Sequence, residues 1–279
     1  MTSLFVTGGT GTLGSAVVRH YLKSDRFDRI VVFSRDEQKQ EELRRSIDDP
    51  RMRFFLGDIR DAGRLRRAME NADTVVHAAA LKCIHFGSTN PVEFAKTNVD
   101  GSINVMEAAL DNNVRRVVAI STDKAVEPVC LYGATKLVAE GIFSHAKAYT
   151  GHRRTTFCIV RLGNIAHSRG SVIPYFNRLK AEGKSLPVTH PDMTRYWVSQ
   201  EQAQELIEVA VDGTEDIYTP DEVAFRLSDL IKAYECPHHI VGLRDQERLY
   251  EKLDANTSSN DPVRFMSVAE LKEAIKCSI

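Results

Sequence analysis

Cysteine is scarce and poorly placed for cross-linking. The chain of 279 residues has five, at Cys83, Cys130, Cys158, Cys236 and Cys277, an odd number never spaced as C-x-x-C. That excludes a disulfide framework and the usual zinc spacings. The nine histidines show no ligand spacing either, so no metal site is expected. An excess of charge of one sign is also missing, since 37 Lys and Arg face 38 Asp and Glu. Nothing electrostatic therefore points to nucleic acid or an anionic membrane as a partner. No apolar run approaches the roughly 18 to 20 residues of a membrane span. The opening residues, Met1 to Gly9, lead straight into a strand and loop, without a basic stretch and hydrophobic signal region. A soluble, cytoplasmic protein is the expectation. There is no internal repeat and no low-complexity tract.

What is present is alternation. Short, nearly continuous apolar runs at Leu4–Thr7, Ile30–Ser34, Arg53–Leu56, Thr74–His77, Val117–Ser121 and Thr156–Arg161 read as strands covered on both faces. Helical patterns fall between them at Ser15–Lys23, Gln38–Ile47, Ala62–Glu70, Gly101–Asp111 and Gly133–Tyr149. This predicts an α/β protein with a doubly wound parallel sheet. Beyond Asn164 prolines at 174, 187, 191, 220 and 237 break the pattern, with helices expected at Gln200–Val211, Leu227–Ala233 and Val268–Ile275. Asn256–Pro262 reads as an exposed loop. We expect a first domain over 1–164, rejoined by part of 198–220, and a smaller C-terminal lobe over 165–279.

The first strand ends in Thr7-Gly8-Gly9-Thr10-Gly11-Thr12-Leu13-Gly14, and a helix follows at once. Gly9, Gly11 and Gly14 fit G-x-G-x-x-G, and Gly8, Gly11 and Gly14 fit G-x-x-G-x-x-G equally well. Glycines here let the backbone turn tightly and approach a pyrophosphate at a helix N-terminus. After the second strand comes Ser34-Arg35-Asp36. A guanidinium suits a 2′-phosphate through forked, charge-assisted hydrogen bonds, which favours NADP over NAD. Asp58 and Ile59 would flank the adenine, and Ala78, Ala79 and Ala80 would wall the cofactor. His77 reads as structural, and Arg64, Arg66 and Arg67 as a solvated helix face.

The fifth strand runs into Ser121-Thr122-Asp123-Lys124, followed by Tyr132 and Lys136 at a helix start. Four residues apart, Tyr132 and Lys136 project from one face. A lysine and a cationic nicotinamide beside a tyrosine stabilise its phenolate and lower its pKa toward neutrality. Tyr132 then takes a hydroxyl proton while hydride leaves the same carbon.

These residues resemble those of the extended short-chain dehydrogenase/reductases. Within them they are similar to the inverting UDP-N-acetylglucosamine 4,6-dehydratases of the polysaccharide biosynthesis family. The resemblance runs from Thr7–Gly14 through Ser34–Glu37, Gly57–Asp61, His77–Lys82, Lys96–Val99, Ser121–Val126 and Tyr132–Lys136. It continues through Gly163-Asn164, Ser168–Pro174, Met193–Arg195 and Gly242–Arg244 to about Glu251. It implies a Rossmann-type fold with a small substrate-binding lobe, a tightly bound, recycled NADP, a UDP-sugar substrate and a homo-oligomer, commonly paired through the helices at Gly101–Asp111 and Gly133–Tyr149. It also implies Lys124 as the base for the sugar C-5 proton and Asp123 as the acid that assists loss of the C-6 hydroxyl. Thr122, Tyr132 and Lys136 complete the catalytic set. Lys82, Asn164, Arg195 and Arg244 would grip the substrate, with Ser121 and Lys82 beside the cofactor. By this analogy Lys124 must be transiently neutral, which burial and the nearby cations, Lys136 and the oxidised nicotinamide, would promote, and Asp123 must carry a proton. A 4-epimerase and a catalytically silent NADP-binding protein are the alternatives. Three departures bear on the sugar's identity: Cys130 where the family has Asn, Cys83–Thr89 where it has a Gln-Val-Pro-like stretch, and a shorter tail in which Asp245–Arg248 replaces Pro-Gly-Glu-Lys. His85 and Cys130 are the residues placed to tune the pocket.

Overall fold

A computed structural model describes residues 2–276; Cys277 lies outside the described residues. The six predicted strands all form, with ends shifted by at most one residue: β1 (Ser3–Thr7), β2 (Arg29–Ser34), β3 (Met52–Leu56), β4 (Thr74–His77), β5 (Arg116–Thr122) and β6 (Thr156–Leu162). Shorter strands follow: β7 (Asn164–Ile165), β8 (Leu186–Val188), β9 (Thr194–Val198), β10 (Ile217–Tyr218), β11 (Val223–Arg226), β12 (His238–Ile240) and β13 (Arg264–Phe265). The main sheet is parallel throughout, in the order β10-β6-β5-β4-β1-β2-β3. This is the doubly wound, Rossmann-type arrangement. The order reverses between β1 and β4, and in such sheets a crevice opens there, beyond the carboxyl ends of the strands.

The helices are α1 (Thr12–Leu22), α2 (Glu37–Ser46), α3 (Ala62–Ala68), α4 (Ile84–Gly87), α5 (Pro91–Ala95), α6 (Gly101–Asp111), α7 (Leu131–His145), α8 (Val172–Ala181), α9 (Gln200–Asp212), α10 (Leu227–Tyr234) and α11 (Val268–Lys276). They explain the unbroken apolar strands. Leu4 and Val6 of β1 pack in one core with Val17 and Val18 of α1 and Ala203 and Ile207 of α9. Phe5 points the other way, into a core with Leu65 of α3, Val105 of α6 and Phe143 of α7. Residues of the central strands therefore meet a helix whichever way they face, while the edge strand β3 leaves Arg53 and Leu56 exposed.

A third core, including Phe176, Leu186, Phe225, Leu230 and Tyr234, belongs to the second lobe. It sits beside two small sheets, β13-β11-β9-β7 and β12-β8. α9 and β10 pack with the main sheet rather than with this lobe. Two expectations need correction. Pro174 does not interrupt structure but lies in the first turn of α8, where its missing N–H has no partner to lose. Asn256–Pro262 is irregular, yet Ser259 within it is fully buried. No described helix is long and apolar enough to cross a membrane.

Candidate active site

The crevice beyond β1 and β4 is a groove of about 320 Å³. Gly8, Thr10, Gly11, Ser34, Arg35, Asp36, Asp58, Ile59, Ala78, Ala79 and Ala80 all line it, with Lys39, Thr97 and Arg169 besides. Gly8 has φ +65°, and a Cβ there would lie 2.8 Å from the backbone of Ala79. Gly8, Gly11 and Gly14 form the close-packed frame: a Cβ at Gly14 would fall 2.3 Å, and one at Gly11 3.1 Å, from the Gly8 carbonyl oxygen. Thr12, Leu13 and Gly14 open α1 instead of walling the groove. Thr12 Oγ1 accepts a hydrogen bond from the Arg169 N–H (3.2 Å), and Leu13 packs on the first core.

Asp36 caps α2. Its carboxylate accepts the Lys39 backbone N–H at 3.0 Å and the Lys39 ammonium at 2.5 Å, which hold it below the usual carboxylate range. Arg35 is half exposed, 3.5 Å from the Asp58 carboxylate. His77 is structural: buried, bonded to Thr7 Oγ1 at 2.7 Å and pushed down to about 3 by burial and by Lys136.

Beyond β5 the chain makes a 3-10 turn over Asp123–Ala125, and there the reacting groups gather. Asp123 is fully buried. Its Oδ1 accepts the Thr122 hydroxyl at 2.9 Å and the Lys124 ammonium at 3.0 Å, while Oδ2 is buried with no hydrogen-bond partner. Lys124 Nζ also donates to Asn164 Oδ1 (3.3 Å) and lies 3.3 Å from Glu251. Asn164 thus braces the lysine. Lys124 is a firmly held cation: burial pulls its pKa down, but Asp123 and Glu251 together carry it well above the ordinary lysine value. Burial therefore does not by itself give the neutral lysine expected from the sequence, and Lys136 is not among the groups acting on it.

For Tyr132 the expected lowering rested on a lysine and a cationic nicotinamide together, and the protein's own groups do not produce it. Burial pushes its phenol up to about 12; the opposing pulls come from Lys124 and a hydrogen bond with Thr122. Lys136, on the next turn of α7, is buried and lowered to about 8 by desolvation, with Glu140 opposing. Of the protein's own groups, Lys124 exerts the largest downward pull on the phenol.

Lys124 opens on a second pocket, of about 230 Å³, lined in part by Ile84, Cys130, Asn164, Ser171, Arg195, Arg248 and Glu251. Arg195 is held by the carbonyls of Thr194 (2.7 Å) and Leu249 (3.1 Å). Arg244 does not line this pocket; its side chain is 68% exposed, and Arg248 takes the place expected of it. Lys82 lines neither cavity. Its side chain is exposed, yet partial desolvation by the surrounding protein and the charge of Lys124 both lower its pKa. Ser121, one residue before the end of β5, has its hydroxyl buried and without a hydrogen-bond partner.

A family model described as polysaccharide biosynthesis protein matches residues 4–273. The chain belongs to this family. It is 38% identical over 279 residues to a UDP-N-acetylglucosamine 4,6-dehydratase (inverting) from Campylobacter jejuni, covering 98% of this chain and 84% of that protein. It is 37% identical over 262 residues to a UDP-glucose 4-epimerase from Rickettsia akari, covering 90% and 77% respectively. A solved structure of DesIV, a dTDP-glucose 4,6-dehydratase from Streptomyces venezuelae with NAD bound, superposes with a TM-score of 0.83 at 25% identity, covering 99% of this chain and 96% of that one.

Several residues of this polysaccharide biosynthesis protein escaped sequence reasoning. Asn98 lies in a π-helical turn, Lys96–Asp100, between α5 and α6. Its side chain ties both backbone groups of Leu81 and the Thr135 hydroxyl together, so it fixes the loop after β4 against α7. Gln40 holds Ser34 through its carbonyl and hydroxyl, each at 3.0 Å. Asn98 lies within a family motif, but its partners are far away in sequence. Among the departures, Cys130 is buried in the pocket wall, and its Sγ caps α7 by accepting the Gly133 N–H at 3.4 Å. His85 is exposed, and its neighbour Ile84 lines the pocket instead. Among the described residues no group of His, Cys, Asp and Glu could hold a metal ion.

Proposed function

We propose that this protein is an NADP-dependent UDP-N-acetylglucosamine 4,6-dehydratase that inverts C-5. One observation carries the reading: at the carboxyl end of β5 a fully buried Asp123 is bonded at 3.0 Å to Lys124, which lines a pocket and acts on the Tyr132 phenol. Transfer of one proton along that bond turns carboxylate and ammonium into carboxylic acid and amine. Those are the two states the reaction requires. A nicotinamide dinucleotide in the groove, when bound, accepts hydride from C-4 and returns it to C-6. Tyr132 takes the C-4 hydroxyl proton, with Thr122 and Lys124 stabilising its phenolate, and Lys136 would help to hold the nicotinamide ribose in the bound state. The resulting ketone acidifies C-5, the Lys124 amine removes that proton, and Asp123 protonates the departing C-6 hydroxyl. Reprotonation on the opposite face inverts C-5.

The groove fits a dinucleotide because Gly8 lets the backbone approach and the start of α1 supplies N–H groups. Arg35 and Lys39 both line it while Asp36 is engaged as a helix cap, which supports NADP. Arg195 and Arg248 supply cations for the UDP diphosphate. The main-sheet region, 1–164 with α9 and β10, holds the cofactor, and the remaining lobe holds the sugar nucleotide. The cytoplasm is the compartment this reading implies. Incubation with UDP-N-acetylglucosamine in heavy water tests it. The product is expected to lack one water and carry deuterium at C-5, and denatured enzyme to release NADP. A product of unchanged mass would mean a 4-epimerase; no turnover at all would leave only a dinucleotide binder.

A homo-oligomer belongs to the same reading. α6 buries most of its apolar residues within the subunit, whereas α7 leaves Leu137 and Val138 46% and 49% exposed. Replacing both by Glu is expected to give monomers by light scattering. A wild type that is itself monomeric, or a variant that stays assembled, would end the assignment to α7.

A further inference from the structure

Glu251 is a buried carboxylate, 3% exposed, in a stretch without regular structure. Its place is built. The Glu251 N–H donates to Ser259 Oγ at 2.8 Å, and that hydroxyl bonds with the Thr194 hydroxyl at 2.7 Å. Oε1 lies 3.3 Å from Lys124 Nζ and 3.7 Å from Arg195 Nε. Oε2 is 3.9 Å from Arg248 Nε, has no hydrogen-bond partner and belongs to a residue lining the pocket. Burying a carboxylate costs several kcal/mol unless it is paired, and here three cations converge on it. The other groups facing Lys124 are Asp123, Asn164, Tyr132, Lys82 and Arg195, and Glu247 lines the same pocket.

We propose that Glu251 is a positioning residue of the dehydration: it seats Lys124 Nζ against a second carboxylate, aligns Arg195 and Arg248 along the pocket, and so governs when Lys124 releases its proton to Asp123. The dehydration part rests on the function proposed above. In the transfer a Lys124 N–H bond breaks and an Asp123 O–H bond forms, with no change in the charge of the pair. The negative charge of Glu251 favours the ammonium and so restrains the transfer. Without that charge the neutral amine becomes more populated at any given pH.

Cyanate carbamylates only neutral amines, so its rate at Lys124, read by peptide mass spectrometry, reports the amine without any turnover. In Glu251→Gln this rate at fixed pH is expected to rise about 10-fold or more, the effect of removing one opposite charge at this range. Glu251→Asp, which keeps the charge on a shorter side chain, should stay near wild type. The acid limb of kcat against pH should move to lower pH in the Gln variant alone. Equal rates in wild type and Gln variant, or equal acceleration in Asp and Gln variants, would reduce Glu251 to a structural brace and overturn the proposal. The two readings separate cleanly. Faster labelling without water loss in the wild type would remove the dehydratase reading and keep the hold on Lys124; water loss with unchanged labelling would do the reverse.

Discussion

Lys124→Ala is expected to keep its dinucleotide and lose dehydration by about 10³-fold or more, within the range for removing a positioned acid or base. The cofactor groove is walled by other residues, so binding should survive, as fluorescence of reduced cofactor will show. The variant also separates chemistry from stability. Lys124 is shared by Asp123 and Glu251, 0% and 4% exposed at the side chain. Removing their cation leaves two buried carboxylates uncompensated, a change of about 3 kcal/mol or more when a buried pair is broken. Lys124 is held above the ordinary lysine range, and a lysine raised on folding contributes stability that is fully present below its ordinary pKa, so the Tm of the variant should lie below that of wild type at neutral pH. Lys124→Arg distinguishes the two roles. A guanidinium keeps the charge and most of the stability, but it does not give up a proton. It should be nearly as inactive as the Ala variant. Substantial water loss by either variant, measured by product mass, would remove Lys124 as the C-5 base.

The parts legible in the sequence were those with a local signature. The strands of the main sheet lie between helices, so nearly every residue is apolar and the runs stand out. The glycine loop and the Tyr132–Lys136 spacing are likewise confined to a few consecutive residues. The second lobe was harder to read because β7, β10 and β13 have two residues each, too few to show alternation. The site was half legible for a similar reason. Asp123 and Lys124 are neighbours in the chain, but Glu251, Arg248 and Ser259 reach them only through the fold. Arg244 and Arg248 look alike as isolated cations in a loop; only packing turns one toward the pocket and leaves the other in solvent. Protonation is less legible still. The lysine beside Tyr132 in sequence suggested a lowered phenol, yet burial in the folded chain raises it to about 12.

Gly133→Ala is expected to damage both stability and activity. Gly133 sits in the first turn of α7 between Tyr132 and Lys136. A Cβ there would fall 2.1 Å from the Lys124 carbonyl oxygen, 3.0 Å from its carbon and 3.1 Å from Pro128 Cβ. Backbone atoms have no rotamer through which to yield, so α7 must move away from the turn that carries Asp123 and Lys124. Helix propensity alone would favour Ala by about 1 kcal/mol; overpacking opposes it by about 1–3 kcal/mol or more. With a gap this short the steric effect wins, and Tm should fall. Activity should fall further than stability suggests, because α7 carries Tyr132 and Lys136 while the turn carries their partners. A displacement near 1 Å is worth about 10²-fold in rate. Gly141, on the same helix, supplies the control. A Cβ there meets nothing within 4 Å, so Gly141→Ala should be neutral or raise Tm, with kcat unchanged. If the two variants melt and turn over alike, the close seat of α7 on the Asp123–Lys124 turn is not what aligns the reacting groups.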